Sequence, residues 1–191
     1  MTTLSTRPTN GRTFVTKPGI TTTAAFETKT QKATRYVFAG VRIAIGWTFV
    51  WAFLDKLFGL GISTPAQNAW IDGGHPTAGF LGRSATGPFT DLWHNVAGTW
   101  WADWAFMMGL LGIGLALMLG IGMRIAAVAA ATLYVLMWSV VLHPTTNPFM
   151  DDHLIQAGVV VGLTLVGAGN TFGLGRWWAR TRLVQRLPWL T

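Results

Sequence analysis

The side chains able to do chemistry in this 191-residue chain are few: 4 histidines, 7 acids, 14 lysines and arginines, and no cysteine. Without thiols there is no iron–sulfur cluster, thiolate metal site, dithiol redox pair or thioether-bound haem. The densest titratable group is His143-Pro-Thr-Thr-Asn147-Pro-Phe-Met-Asp151-Asp152-His153. A second charged pair, Asp55-Lys56, ends a long apolar run. Brought together, Asp55, Lys56, His143, Asp152 and His153 would form a polar pocket able to hydrogen-bond a quinone carbonyl and exchange its proton, with Lys56, Asp152 and His153 as catalytic candidates. The competing reading is structural. Asn147-Pro148 makes a turn, and Asp151 or Asp152 caps the next helix, where the helix dipole favours negative charge. A zinc ion would need three converging ligands, for which only His143, His153 and an aspartate offer themselves, and no metal is assigned. A haem held between helices would need histidines in the middle of two apolar segments, and none lies there. No phosphate loop, dinucleotide fingerprint or serine elbow occurs. The glycine-rich run Gly167 to Gly175 follows an apolar helix rather than a strand and reads as a helix exit.

These groups must be positioned by apolar helices. Hydrophobic residues make up 51% of the chain and charged residues 11%, against about 25% charged in soluble domains. Eleven Trp and 23 Gly fit aromatic belts and close helix packing in a bilayer. Crossing the hydrocarbon takes about 20 apolar residues, and four segments approach that: about 36–56, 104–123, 124–142 and 153–172. The expected fold is all-α, an integral membrane antiparallel four-helix bundle with a long outer loop between helices 1 and 2. Small residues at helical spacing supply candidate packing ridges: Gly40, Ala44, Thr48 and Ala52; Gly112, Ala116 and Gly120; Ala127 and Ala131; Gly158 and Gly162. Arg42 lies inside the first segment, within reach of the headgroups by snorkelling.

Charge sets the orientation. With four crossings, 12 of the 14 basic residues and one acid, Glu27, fall on one side. Lys56 and Arg83 fall on the other with the remaining six acids. The positive-inside rule places both termini in the cytoplasm of a cell membrane. The net charge of +7 is then a topology and lipid-surface signal, with no nucleic-acid footprint.

Three domains follow. Residues 1–35 form a Thr-rich basic tail without an apolar core segment, so no secretory signal is expected and the tail has no means of folding alone. Residues 36–175 are the helical domain. Residues 176–191 interleave Trp177, Trp178 and Trp189 with four arginines and read as an interfacial helix from Arg176 to Leu187 gripping anionic lipid. The outer loop, 59–100, is too long for a structureless connection and suggests a partner surface. In it Gly79-Phe80-Leu81 can dip into the interface, and Asp91 to Trp101 can form a short amphipathic helix.

Arg42-Ile-Ala-Ile-Gly46-Trp47 through Asp55-Lys56-Leu57, Gly120-Ile-Gly122-Met-Arg124, and Asn147-Pro148 with Asp151-Asp152-His153 leading to Gly167-Ala-Gly169 and Gly173-Leu-Gly175-Arg176-Trp177 together resemble the DoxX/DoxD-like family of four-helix membrane proteins. The resemblance spans about residues 36–178. It implies a quinone-linked membrane context, since such families include the membrane subunit of a thiosulfate:quinone oxidoreductase. Two functions are therefore expected to compete. One is an accessory subunit of a larger membrane oxidoreductase or respiratory assembly, without a redox cofactor of its own, docked to other membrane subunits through residues 1–35 and 59–100. The other is a quinone-reducing subunit of a thiosulfate:quinone oxidoreductase-like enzyme, with quinone as its only cofactor.

Overall fold

The computed structural model of the chain describes residues 13–15, 21–23, 28–144 and 147–190. Two short strands, β1 (Thr13–Val15) and β2 (Thr21–Thr23), pair antiparallel with Thr13 opposite Thr23. Composition alone does not predict this ladder. Most of the expectation for the tail concerns residues outside those described.

Helix α1 (Lys29–Phe58) starts earlier than its apolar stretch because Thr28 and Gln31 form a capping box. Thr28 Oγ1 accepts from the Gln31 amide at 3.2 Å, and Gln31 Oε1 accepts from the Thr28 amide at 2.8 Å, so two otherwise orphaned donors are satisfied. Gly59, at φ 62°, stops the helix in the left-handed conformation that glycine adopts without strain. Short helices α2 (Ala78–Arg83) and α3 (Thr90–Val96) follow in the long connection, then α4 (Trp100–Leu119), α5 (Met123–Val140) and α6 (Asp152–Leu165). The predicted interfacial C-terminal helix is instead two pieces, α7 (Gly175–Trp178) and α8 (Arg182–Arg186), the second capped by Thr181.

Helices α1, α4 and α5 are long and apolar enough to cross a membrane. Helix α6 is not: its 14 residues rise about 21 Å, short of the roughly 30 Å hydrocarbon core. The segment expected to run helically to residue 172 breaks at Gly167, which has φ 68°, and continues as a 3-10 turn over Ala168–Asn170. That turn packs against α1 and α6.

Helix α1 lies along α4, α5 lies along α6, and α4 meets α5 beside their short turn. Phe49, Phe53, Met107, Leu110, Ile113, Leu117, Ala130, Tyr134 and Val160 form the shared core. The closest approach is at Gly46 and Gly114. A Cβ on Gly46 would lie 2.8 Å from the Met118 nitrogen, and one on Gly114 would lie 2.9 Å from the Val50 nitrogen. The predicted ridges are used in part: Gly120 closely approaches Gly169 and Ala127 is in the core, with Ala52, Ala116 and Ala131 against it, whereas a Cβ on Gly40, Gly112, Gly158 or Gly162 would meet nothing within 4 Å. Spacing marks a stripe of small residues; the neighbour decides which stripe is used.

Arg42 does not snorkel. It is fully buried. Its Nη1 donates to the carbonyls of Leu117 and Met118, and its Nη2 to those of Thr171 (3.2 Å) and Phe172 (2.9 Å). Leu117 and Met118 belong to the last turn of α4, whose carbonyls have no intrahelical partner. Thr171 and Phe172 belong to the glycine-rich run, which is therefore no simple helix exit. It folds back under α4, with the Leu174 amide donating to the Leu119 carbonyl at 2.7 Å. Irregular backbone among apolar helices is tolerated only where protein satisfies it, and here one guanidinium does so.

Candidate functional site

The 59–99 connection folds over one end of the helices, the loop end, where Asp55, Lys56, His143, Asp151 and His153 also lie. Asp55 is buried and committed to structure. Its Oδ1 accepts from the Ile62 amide (3.1 Å), and its Oδ2 from the Ser63 amide (3.2 Å) and Ser63 Oγ (2.6 Å). The carboxylate thus ties the loop back onto the helix it leaves. Its neighbour Lys56 has no hydrogen bond or ion pair among the described residues. Lys56 lines a polar cavity of about 950 Å³ together with Asp72, His75, Arg83 and Phe80.

Of the two capping candidates before α6, Asp151 is the cap. Its Oδ1 accepts from the Leu154 amide at 3.2 Å, while its Oδ2 sits 2.6 Å from His153 Nδ1. Asp152 is exposed, and the carboxylate that meets His153 is that of Asp151. The reason is geometric: the N-cap residue is still extended, which turns its side chain back over the first helical turn. The His153 ring lies 6.3 Å from the Tyr134 ring and 6.5 Å from the Phe80 ring. With Nδ1 engaged by a carboxylate, Nε2 is the nitrogen left for a ligand or a proton. His143 is exposed at φ 68° and lies beside Gly87. The five residues expected in one pocket are therefore divided, with Asp55 clamping a loop, Asp152 and His143 at the surface, Lys56 in the polar cavity, and His153 across Phe80 from it.

The sequence reading missed a second histidine–carboxylate pair. Asp103, in the first turn of α4, is buried. Its Oδ2 lies 2.8 Å from His75 Nδ1, and its Oδ1 accepts from the Thr77 amide (2.9 Å) and Thr77 Oγ1 (2.6 Å). Thr77 Oγ1 in turn accepts from the Gly98 amide at 3.0 Å. One carboxylate thereby joins the start of α4 to both ends of the α2–α3 segment. The signal was available: an acid among Trp100, Trp101 and Trp104 must find donors if it is to be buried. The His75 side chain, 59% exposed, opens towards the polar cavity.

A second cavity of about 550 Å³ lies between α4 and α5 beneath α2 and α3. Apart from Thr77 and Thr132 its walls are apolar, and Pro76 and Phe80 separate it from the polar cavity. The arrangement provides one lysine and two carboxylate-oriented histidines around a shared wall, next to an apolar chamber. Among the described residues, no three histidine, aspartate or glutamate side chains converge as metal ligands. Comparison with protein-family models, curated proteins and solved structures returns no match for this chain.

Proposed function

We propose that the chain is a DoxX-like multi-pass subunit of a larger oxidoreductase in the cell membrane, with α1, α4 and α5 crossing the bilayer and α6 completing the bundle. In this reading both termini are cytoplasmic and the loop end faces outward. The basic residues of the tail, the α4–α5 turn and the C-terminal segment then meet the anionic leaflet. The role is accessory: the subunit docks to other membrane subunits and carries no redox cofactor of its own. The supporting observation is the outer connection, which folds into ordered helices yet leaves Ile62 (75%), Ile71 (60%) and Leu92 (55%) exposed. These lie beyond the ends of the long helices, where apolar exposure marks a protein contact. Purification in mild detergent should recover the chain with respiratory proteins, and the triple change Ile62→Ser, Ile71→Ser, Leu92→Ser should release them while the protein stays inserted. A clean monomer from native membranes would count against docking.

The polar cavity favours a second reading, a quinone-reducing subunit. Lys56 and His75 line that cavity, and His153 lies beside Phe80 in its wall; in this reading Lys56 and the histidine Nε2 atoms hydrogen-bond a carbonyl and pass protons. Replacing Lys56 and His153 by Ala should then abolish quinone-dependent turnover in an assembled complex. Unchanged turnover disposes of this reading without touching the docking one.

A further inference from the structure

Two basic residues stand apart from the rest. From Ile43 to Met123 the chain has no lysine or arginine besides Lys56 and Arg83, and from Ile125 to Gly175 it has none. Yet these two, from the last turn of α1 and the last turn of α2, line the same polar cavity. Lys56 is half-buried and makes no hydrogen bond, but its ammonium is not sealed in. Among the described residues that are not exposed, the unbonded side-chain polar atoms cut off from solvent are Arg42 Nε and Trp93 Nε1. Arg83 is exposed, and its guanidinium lies back along α2 with Nε donating to the Gly79 carbonyl at 3.5 Å. The absent side chain of Gly79 permits this, since a Cβ there would lie 3.2 Å from Arg83 Nη2. Both Nη groups keep their donors free. Asp55, beside Lys56 in sequence, is not in the wall and gives its oxygens to Ile62 and Ser63.

From this convergence we infer that the polar cavity binds a small organic carboxylate, its charge held by Lys56 and Arg83 and its apolar body set against Phe80 and Pro76. An anion is selected because the wall holds two cations and one acid, Asp72, so one negative charge balances it. A carboxylate carries that single charge and fits the guanidinium fork, whereas a phosphate ester brings about 1.5–2 negative charges at pH 7. The ligand is organic because about 950 Å³ is the scale of pockets for organic molecules, and Pro65, Pro76, Ala78 and Phe80 give the wall an apolar side. It arrives from water, since Asp72, His75 and Arg83 at the cavity are all exposed. The Asp55 clamp on Ser63 then has a second use, fixing the wall segment Ser63–Pro65 beside Lys56. The inference does not depend on docking, and it gives the cavity an occupant other than a neutral quinone.

The test uses the full chain in phosphatidylcholine nanodiscs, with tritiated 3-phenylpropionate as the probe. The probe should bind saturably and protect Lys56 from acetylation by an N-hydroxysuccinimide ester, read by mass spectrometry. Lys56→Met and Arg83→Gln should each weaken binding at least tenfold, the loss expected for a charge-assisted hydrogen bond. Lys56→Arg, which keeps the charge, should stay within about threefold of wild type. Arg182→Gln, on α8, should change nothing, which separates the cavity from general attraction to a basic protein. If Lys56→Met fails to insert, Arg83→Gln together with Lys56 protection in the wild type carries the test. Absence of saturable binding, or equal losses in Arg83→Gln and Arg182→Gln, overturns the site. Equal binding of the neutral 3-phenylpropanamide, or displacement by a short-chain benzoquinone at equal concentration, overturns selection by charge. Tighter binding of 2-phenylethyl phosphate or of sulfate overturns the carboxylate assignment.

Discussion

At the scale of single residues, the buried charges Arg42, Asp55 and Asp103 are held chiefly by backbone and hydroxyl groups, with His75 as a further partner of Asp103. Arg42 holds four carbonyls, and Asp55 and Asp103 each gather amide and hydroxyl donors from a segment beyond their own helix. A bare charge in an apolar interior is prohibitive, and hydrogen bonds to fixed peptide dipoles make it tolerable. The carbonyls Arg42 serves have no alternative donors in an apolar surround, and each left unmet costs about 1–3 kcal/mol. Arg42→Met should therefore destabilise the protein by about 3 kcal/mol or more. Arg42→Lys should recover only part of that, because an ammonium cannot fork across two pairs of carbonyls as a planar guanidinium does. Reversible unfolding in mixed micelles, followed by near-ultraviolet circular dichroism, checks the order wild type, Lys, Met. A Met variant as stable as wild type would mean that the α4 terminus and the glycine-rich run find other donors.

At the scale of elements, stability rests on where two helices come closest. The α1–α4 crossing is set by Gly46 and Gly114, whose missing side chains admit the backbone at Met118 and Val50. Gly114→Ala should force the helices apart at a cost of about 1–3 kcal/mol. Gly112→Ala, on the same helix but with open space at its Cβ, should be neutral or stabilising by up to about 1 kcal/mol through helix propensity. Comparing the two variants in one unfolding assay separates packing from propensity, and equal effects would remove the crossing from the account. The apolar runs match the lengths of α4 and α5, whereas α1 begins before its apolar stretch and α6 stops after 14 residues. The sequence carried facing poorly. Gly40 and Gly46 look alike as small residues on α1, and only the partner helix distinguishes them. The candidate site was legible in the same partial way: composition picks out Lys56 and His153, whereas pairing His75 with Asp103 requires residues 28 positions apart to meet, and no local periodicity encodes that.

At the scale of the whole molecule, the α4–α5 turn and the C-terminal segment share one end of the helices, where Arg124 Nη1 donates to the Pro188 carbonyl at 3.4 Å and Trp178 Nε1 donates to the Leu190 carbonyl at 2.7 Å. The proposed docking reading assigns the Thr-rich tail to that same end and makes it a tether. Fixing each residue of such a tail costs about 1–2 kcal/mol of backbone entropy, and the few apolar side chains in it, Leu4, Phe14, Val15, Ile20 and Phe26, cannot offset that without partner pockets. The capping box at Thr28 and Gln31 satisfies the first donors of α1 from within residues 28–31. Deleting residues 2–27 should therefore leave the helical domain inserted, with its unfolding temperature within about 2 °C of the parent, since surface changes away from caps and core stay near 0.5 kcal/mol. The same deletion should reduce co-purification with partner subunits at least tenfold. If the shortened chain recovers every partner in full yield, the tether falls and docking must rest on the outer connection alone. If it fails to insert, the tail is part of the fold, and the capping box is not the true start of α1.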